Sequence, residues 1–244
     1  MKTPIPLAHK SVHEKVAEIL SGEKPGKLLD VPAGYGALAL RMKELGFDSF
    51  ACDLYPEIFR AEGIEIQQGN LNIRLPYDDA SFDYVICVGG IEHVENPANA
   101  IREFSRILRS GGSLVISIPN VLNIEERLKW LFYGYTSHFK PRSKEAIEEV
   151  RKRYPGMEEI GLQISTLSYA DMRYLLESNL FDVIGIFPDK PKRNSWLLLP
   201  FVWLVRLVSS FLSKEQRQAR WTDQINSNNV LRGGNALLFH AKKK

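Results

Sequence analysis

In the stretch Lys27–Ala39, K-L-L-D-V-P-A-G-Y-G-A-L-A, a carboxylate at Asp30 is followed closely by glycines at Gly34 and Gly36. Leu28, Leu29 and Val31 read as a buried strand, and Ala37, Leu38, Leu40 and Leu45 as a helix. A strand, a tight loop and a helix N-terminus in succession bring bare backbone amides up to a ligand. Glycine leaves room for that approach and tolerates positive φ. Two ligands compete for such a loop. Pro32-x-Gly34-x-x-Ala37, with Asp53 at the end of the next strand-like run, half satisfies the dinucleotide fingerprint of a nicotinamide-dependent oxidoreductase. Against it, Pro32 stands where the first glycine belongs and donates no amide. Asp30 would also set negative charge against a pyrophosphate. The same carboxylate attracts a cation by about 4 kcal/mol at roughly 4 Å and an effective dielectric of about 20, before desolvation. A positively charged nucleoside suits the turn better.

The elements that must position these residues follow from periodicity. Val12, Val16, Ile19 and Leu20 have helical spacing and stop at Gly22. Strands are expected near 27–31, 49–53, 64–68, 83–88 and 113–118, with helices between. That alternation predicts a doubly wound α/β fold, a mostly parallel sheet covered on both faces. Ligands of such sheets bind at the carboxyl ends of the strands, where Asp30, Asp53 and Gly89 fall. Ser168 and Asp171 form a capping-box pattern that opens a helix through Leu175 and Leu176. Phe181–Phe187 and Asn235–Ala241 read as further strands.

Residues 27–119 resemble the core of a class I S-adenosylmethionine-dependent methyltransferase through four ordered blocks. D-V-P-A-G-Y-G resembles the D-x-G-x-G-x-G loop, departing at Pro32, and F-A-C-D-L supplies the acid after the second strand. Q-G-N-L-N with L-P-Y-D-D-A-S-F-D-Y-V-I-C-V resembles the adenine turn and fourth strand. I-E-H-V, R-E-F-S-R-I-L-R-S-G-G and S-L-V-I-S-I-P-N complete the pattern. The resemblance implies a Rossmann-like, seven-stranded sheet with an antiparallel last strand, and S-adenosylmethionine as cofactor. It implies that Asp30, Ala33, Gly34, Tyr35 and Gly36 surround the methionine end of the cofactor. Asp53 and Leu54 would meet the ribose, Asn70 and Leu71 the adenine, and backbone groups at Val88 and Gly89 the ammonium. Asp53 could instead be a solvated turn residue. His93 is the candidate base for a hydroxyl acceptor, or else serves packing or cofactor contact; His138, Tyr133 and Tyr135 are weaker candidates. Some relatives hold a metal with E-x-x-E-H; here Gly89 replaces the first Glu, leaving Glu92 and His93, so no metal is expected.

Composition sets the frame. The apolar fraction of 44% and charged fraction of 25% are ordinary for a globular chain. A net charge of +3 is too mild to argue for nucleic acid. Cys52 and Cys87 lie in strand-like runs and read as buried thiols. M-K-T-P-I-P-L-A-H-K lacks the apolar core of a signal peptide, so the expected location is cytoplasmic. The expected plan is one domain: an N-terminal helix at 1–25, a cofactor-binding core at 26–120, a substrate-side half at 121–187, an apolar insertion or lid at 188–233, and a last strand and tail at 234–244.

Two regions lie outside the alternation. Leu128, Trp130, Leu131, Phe132, Tyr133, Tyr135 and Phe139 read as core or as a substrate wall, and S-K-E-A-I-E-E-V-R-K-R as a solvated helix. Trp196–Leu212 is almost wholly apolar between cationic flanks. Its length barely reaches a membrane span. Its apolar side chains offer roughly −5 kcal/mol on an insertion scale, of which central Arg206 cancels about 3. Pro200 breaks it, so crossing is not expected. Arg206, Ser210, Ser213, Arg217 and Arg220 suggest one polar stripe on an apolar helix. Three readings stay open for 195–213: packing on its own domain, a homodimer contact, and peripheral membrane contact. The function expected is methylation, chiefly on oxygen, of a small-molecule or lipid-linked acceptor. The alternatives are the oxidoreductase and a non-catalytic cofactor-binding module at a membrane surface.

Overall fold

The alternating runs fold as one seven-stranded sheet of order β3-β2-β1-β4-β5-β7-β6 in a computed structural model. The structure describes residues 4–140, 142–153, 155, 157, 163–192 and 195–244. The strands are β1 (Lys27–Asp30), β2 (Asp48–Asp53), β3 (Glu65–Gln68), β4 (Phe82–Cys87), β5 (Leu108–Pro119), β6 (Phe181–Pro188) and β7 (Ala236–Lys243). β3, β2, β1, β4 and β5 are parallel, and β7 lies antiparallel between β5 and β6. The doubly wound sheet with an antiparallel last strand expected from the sequence is present.

Residue alternation divides the core into two layers, because neighbouring strand side chains point to opposite faces. Leu29, Val85, Cys87, Leu114, Ile116 and Phe239 enter one layer, while Leu28, Tyr84, Ile86, Val115 and Leu238 enter the other. The first layer is closed by helices α3 (Pro97–Ile107) and α6 (Tyr169–Glu177), the second by α1 (Lys10–Leu20) and α2 (Ala37–Glu44). Both thiols are buried and free, and burial pushes Cys52 up to about 12. The Ser168–Asp171 capping box at α6 is formed in both directions.

Between β5 and α6 stand α4 (Ile124–Tyr133) and α5 (Lys144–Arg153). No residue of α5 is buried, as its mixed charge suggested. The aromatic stretch differs from both of its expected roles. Trp130, Leu131, Phe132 and Tyr133 are exposed, neither core nor cavity wall, because α4 is anchored at its N-terminal half by Ile124 and Arg127. Its last turn projects past the layer it packs on.

The segment between β6 and β7 forms α7 (Leu199–Ser210), α8 (Lys214–Ala219), α9 (Thr222–Ile225) and α10 (Asn228–Leu231). The single polar stripe is not realised, since Ser213 caps α8 and splits the segment into separate helices. Arg206 turns inward instead and donates to Asn226 O at 3.2 Å and Asn228 Oδ1 at 2.9 Å. Asn226 Nδ2 donates to Ser209 Oγ at 2.7 Å, and its Oδ1 accepts from Arg127 of α4 at 2.9 Å. Val202 joins Ile124 and Leu231 beneath. The insertion therefore packs on its own chain through one face.

Candidate cofactor and acceptor site

β1 and β4 lie side by side with connections running in opposite directions, and ligands of open α/β sheets bind at such a point. A cavity of about 420 Å³ opens there. Asp30, Ala33, Gly34, Tyr35, Asp53, Leu54, Asn70, Leu71, Val88, Gly89 and His93 all line it. Gly36 does not. It starts α2 at φ +84°, and a Cβ there would sit 2.5 Å from Phe59 Cε2 and 2.7 Å from Ala61 Cβ. Its part is to let the loop turn against the 56–61 segment, behind the ligand surface.

Asp53 ties the loop to β2. Its Oδ2 accepts from Gly34 N at 2.7 Å and its Oδ1 from Tyr55 N at 2.9 Å, with the side chain buried. It is thus not a solvated turn residue. Each carboxylate oxygen keeps a further lone pair for a ribose hydroxyl. The departure from the glycine pattern at Pro32 has a packing reason: the Val31–Pro32 peptide is cis, and the proline ring covers the space a side chain at Gly90 would need. Asn70 Oδ1 accepts from Asn72 N at 2.9 Å, so part of its acceptor capacity already stabilises the turn. Gly89 N donates to Ser117 Oγ at 3.2 Å, which leaves a carbonyl rather than this amide for a cationic ligand.

Asp30 is the most unusual group in the cavity. It is 1% exposed, and its Oδ2 has no hydrogen-bond partner. Burial pushes its carboxyl up to about 8, the amide of Ala39 partly offsets this, and the neighbouring Asp53 charge adds to it. A buried, unpartnered carboxyl oxygen beside a cavity fits a cationic donor such as an ammonium. Two consequences follow from the sign. In the ligand-free protein a raised pKa makes Asp30 a stability cost that grows as pH rises from near 4 towards 8. Asp30→Asn is therefore expected to stabilise the ligand-free protein at pH 7 by up to about 4 kcal/mol in urea melts. A cation binds the ionised form and displaces the proton. Calorimetric affinity for a cationic ligand should rise about twentyfold between pH 6 and 7.5, and Asp30→Asn should flatten that rise.

Groups that no motif indicated complete the walls. Ile5, Leu7 and His13 come from the N-terminal segment, and His138, Asp189 and Asn235 from the far half of the chain. Leu7 lies directly over Gly34. Ser11 Oγ donates to Asp189 Oδ2 at 2.7 Å and fastens the start of α1 to the end of β6. Burial lowers both His13, to about 4, and His138, keeping their imidazoles neutral at physiological pH. His138 thus joins His93 on the cavity wall, whereas Tyr133 is exposed and Tyr135 stands outside the lining. Glu92, also on the wall, is buried with an unpartnered Oε2, and burial raises its carboxyl. Among the described residues no group of three or more His, Cys, Asp or Glu could hold a metal ion.

Residues 29–116 match the family model described as a methyltransferase domain. A demethylmenaquinone methyltransferase of Chlorobaculum tepidum is 33% identical over 114 residues, covering 44% of this chain and 47% of that protein. A ubiquinone biosynthesis O-methyltransferase of Psychrobacter arcticus is 33% identical over 120 residues, covering 44% and 46%. The chain thus aligns with about half the length of these two relatives. A demethylmenaquinone methyltransferase of Bacillus pumilus is 24% identical, covering 68% of this chain and 80% of that protein. In fold, a S-adenosylmethionine-dependent methyltransferase from Thermotoga maritima superimposes with a TM-score of 0.57 at 19% identity, over 98% of this chain and 90% of that one. Residues 29–116 thus form a methyltransferase domain, and the sheet that carries it has the fold of the class I S-adenosylmethionine-dependent methyltransferases.

Proposed function

We propose that the protein transfers a methyl group from S-adenosylmethionine to a hydroxyl of a small, largely apolar acceptor, free or lipid-linked. The observation that carries this reading is the pairing, in one cavity, of two buried carboxyls: Asp30 with an unpartnered oxygen and Asp53 bonded to the glycine loop. A cationic nucleoside with a ribose needs these two groups, and a dinucleotide pyrophosphate gains nothing from Asp30. When bound, the cofactor supplies an electrophilic methyl on a sulfonium. Asp53 would hold the ribose, Asp30 and the carbonyls near Val88 and Gly89 the ammonium, and Asn70 and Leu71 the adenine.

The chain's own residues then have three tasks. Ile5, Leu7 and Val88 keep water from the cavity, which strengthens every polar contact inside. The walls fix the acceptor within reach of the methyl, about 3–3.5 Å. A neutral imidazole removes the hydroxyl proton; His93 and His138 both line the cavity, and burial keeps His138 in the accepting form. The names of the relatives point to quinone-type acceptors, and the relative from Psychrobacter arcticus, named for ubiquinone biosynthesis, is the precedent for oxygen as the methylated atom.

Methyl transfer from radiolabelled cofactor to short-chain hydroxylated quinols tests this. Removing the operative base, by His93→Ala or His138→Ala, should lower turnover about 10²–10⁴-fold with cofactor affinity unchanged. Transfer to amines or nucleobases but to no hydroxylated ring contradicts the reading.

A further inference from the structure

α7 is apolar on both sides, and only one side is covered. Leu198, Val202, Val205 and Ser209 face the chain, together with the inward Arg206. Phe201, Leu204, Leu207, Val208 and Phe211 recur at three- and four-residue steps along the opposite side and are exposed, Phe211 by 81%. Trp196, Leu197 and Trp203 extend this face. The projecting turn of α4 adds Trp130, Leu131, Phe132 and Tyr133, and α4 and α7 are joined through Ile124 and Val202. A cluster of exposed apolar side chains of this size marks an interaction surface. We propose that the outer face of α7 with the last turn of α4 docks on a bilayer containing anionic phospholipid.

Charge and residue type select that occupant. Lys190, Lys214 and Arg220 flank the apolar stretch in sequence and are exposed. Most of the nearby carboxylates are paired: Glu125 with Lys129 and Lys192, Glu126 with Lys129, and Asp223 with Arg217, while Glu215 accepts from Ser213 Oγ. A symmetric contact with a second copy would bring the same cations towards their own counterparts. Phosphate headgroups are complementary to them, and Trp and Tyr are the residues that favour the boundary between headgroups and acyl chains. Among the described residues no helix is long and apolar enough to cross a membrane, so the face lies flat. The chain enters the insertion from Asp189 and leaves it at Asn235, both on the cavity wall, and His138 follows shortly after α4. An acceptor dissolved in the bilayer would reach the cavity beside the docked face.

Vesicle flotation of the full chain tests the surface without any methyl acceptor, so its outcome is separate from that of the methyl-transfer assay. The probes are phosphatidylcholine vesicles with and without phosphatidylglycerol. The wild-type protein should float with the mixed vesicles and at least tenfold less with phosphatidylcholine alone. Leu207→Glu with Phe211→Glu, and separately Phe132→Glu, should lower flotation about tenfold or more while leaving the melting temperature unchanged. Equal flotation of wild type and variants overturns the proposal. So does a wild-type dimer in light scattering that ignores vesicles and is split by the same substitutions.

Discussion

Replacing Asp53 by alanine should weaken binding of S-adenosylmethionine by two to four orders of magnitude, on the order of 3–6 kcal/mol, as read by calorimetry. The size follows from two roles in one side chain. The carboxylate would accept the ribose hydroxyls, and hydrogen bonds to a charged group contribute about 1.5–3 kcal/mol each. It also holds Gly34 N and Tyr55 N, at 2.7 and 2.9 Å, so its loss frees the loop that presents the binding amides. Asp53→Asn keeps an acceptor but not the charge, and should fall between wild type and alanine. The test is a titration at fixed pH beside a melt that confirms folding. An alanine variant within threefold of wild-type affinity would place the ribose elsewhere.

Gly36→Ala should be strongly destabilising, because strain and overpacking coincide there. The φ of +84° lies where a side chain is strained by about 1–2 kcal/mol. The added Cβ would also meet Phe59 and Ala61 at 2.5 and 2.7 Å, and overpacking of this kind costs about 1–3 kcal/mol. Together these give roughly 2–5 kcal/mol, or about 5–15 °C in melting temperature for a chain of this size. Because Gly36 lies behind the cavity, the loss should appear in stability first. A scanning-calorimetry shift under 2 °C would show that the 56–61 segment yields freely.

Much of this was legible in the sequence because the signals are local. Buried parallel strands are short apolar runs, so Leu28–Leu29, Val85–Cys87 and Leu114–Ile118 announce the sheet before any contact is known. The chemistry-bearing residues sit at the ends of those runs, so motif spacing also located Asp30, Asp53, Asn70 and Gly89. What depends on distant partners was not legible. Leu7 and Ile5 reach the cavity only because the N-terminal segment folds over it, and that segment has no periodicity that says so. The orientation of α7 was left open by the sequence for the same reason. Asn226, twenty residues beyond Arg206, accepts from Arg206 and donates to Ser209, which turns the apolar side out. Gly36 carried a correct motif signal for a role that only the position of Phe59 explains.

The central claim is that the turn tipped by Asp30 and closed by Asp53 receives a sulfonium nucleoside. Its most direct measurement is calorimetric titration of the wild-type chain with S-adenosylmethionine, with its demethylated product and with a nicotinamide dinucleotide. The account predicts one site per chain for the first two, lost in Asp53→Ala, and no heat from the third. A dinucleotide that binds where both sulfur-containing nucleosides fail would contradict it.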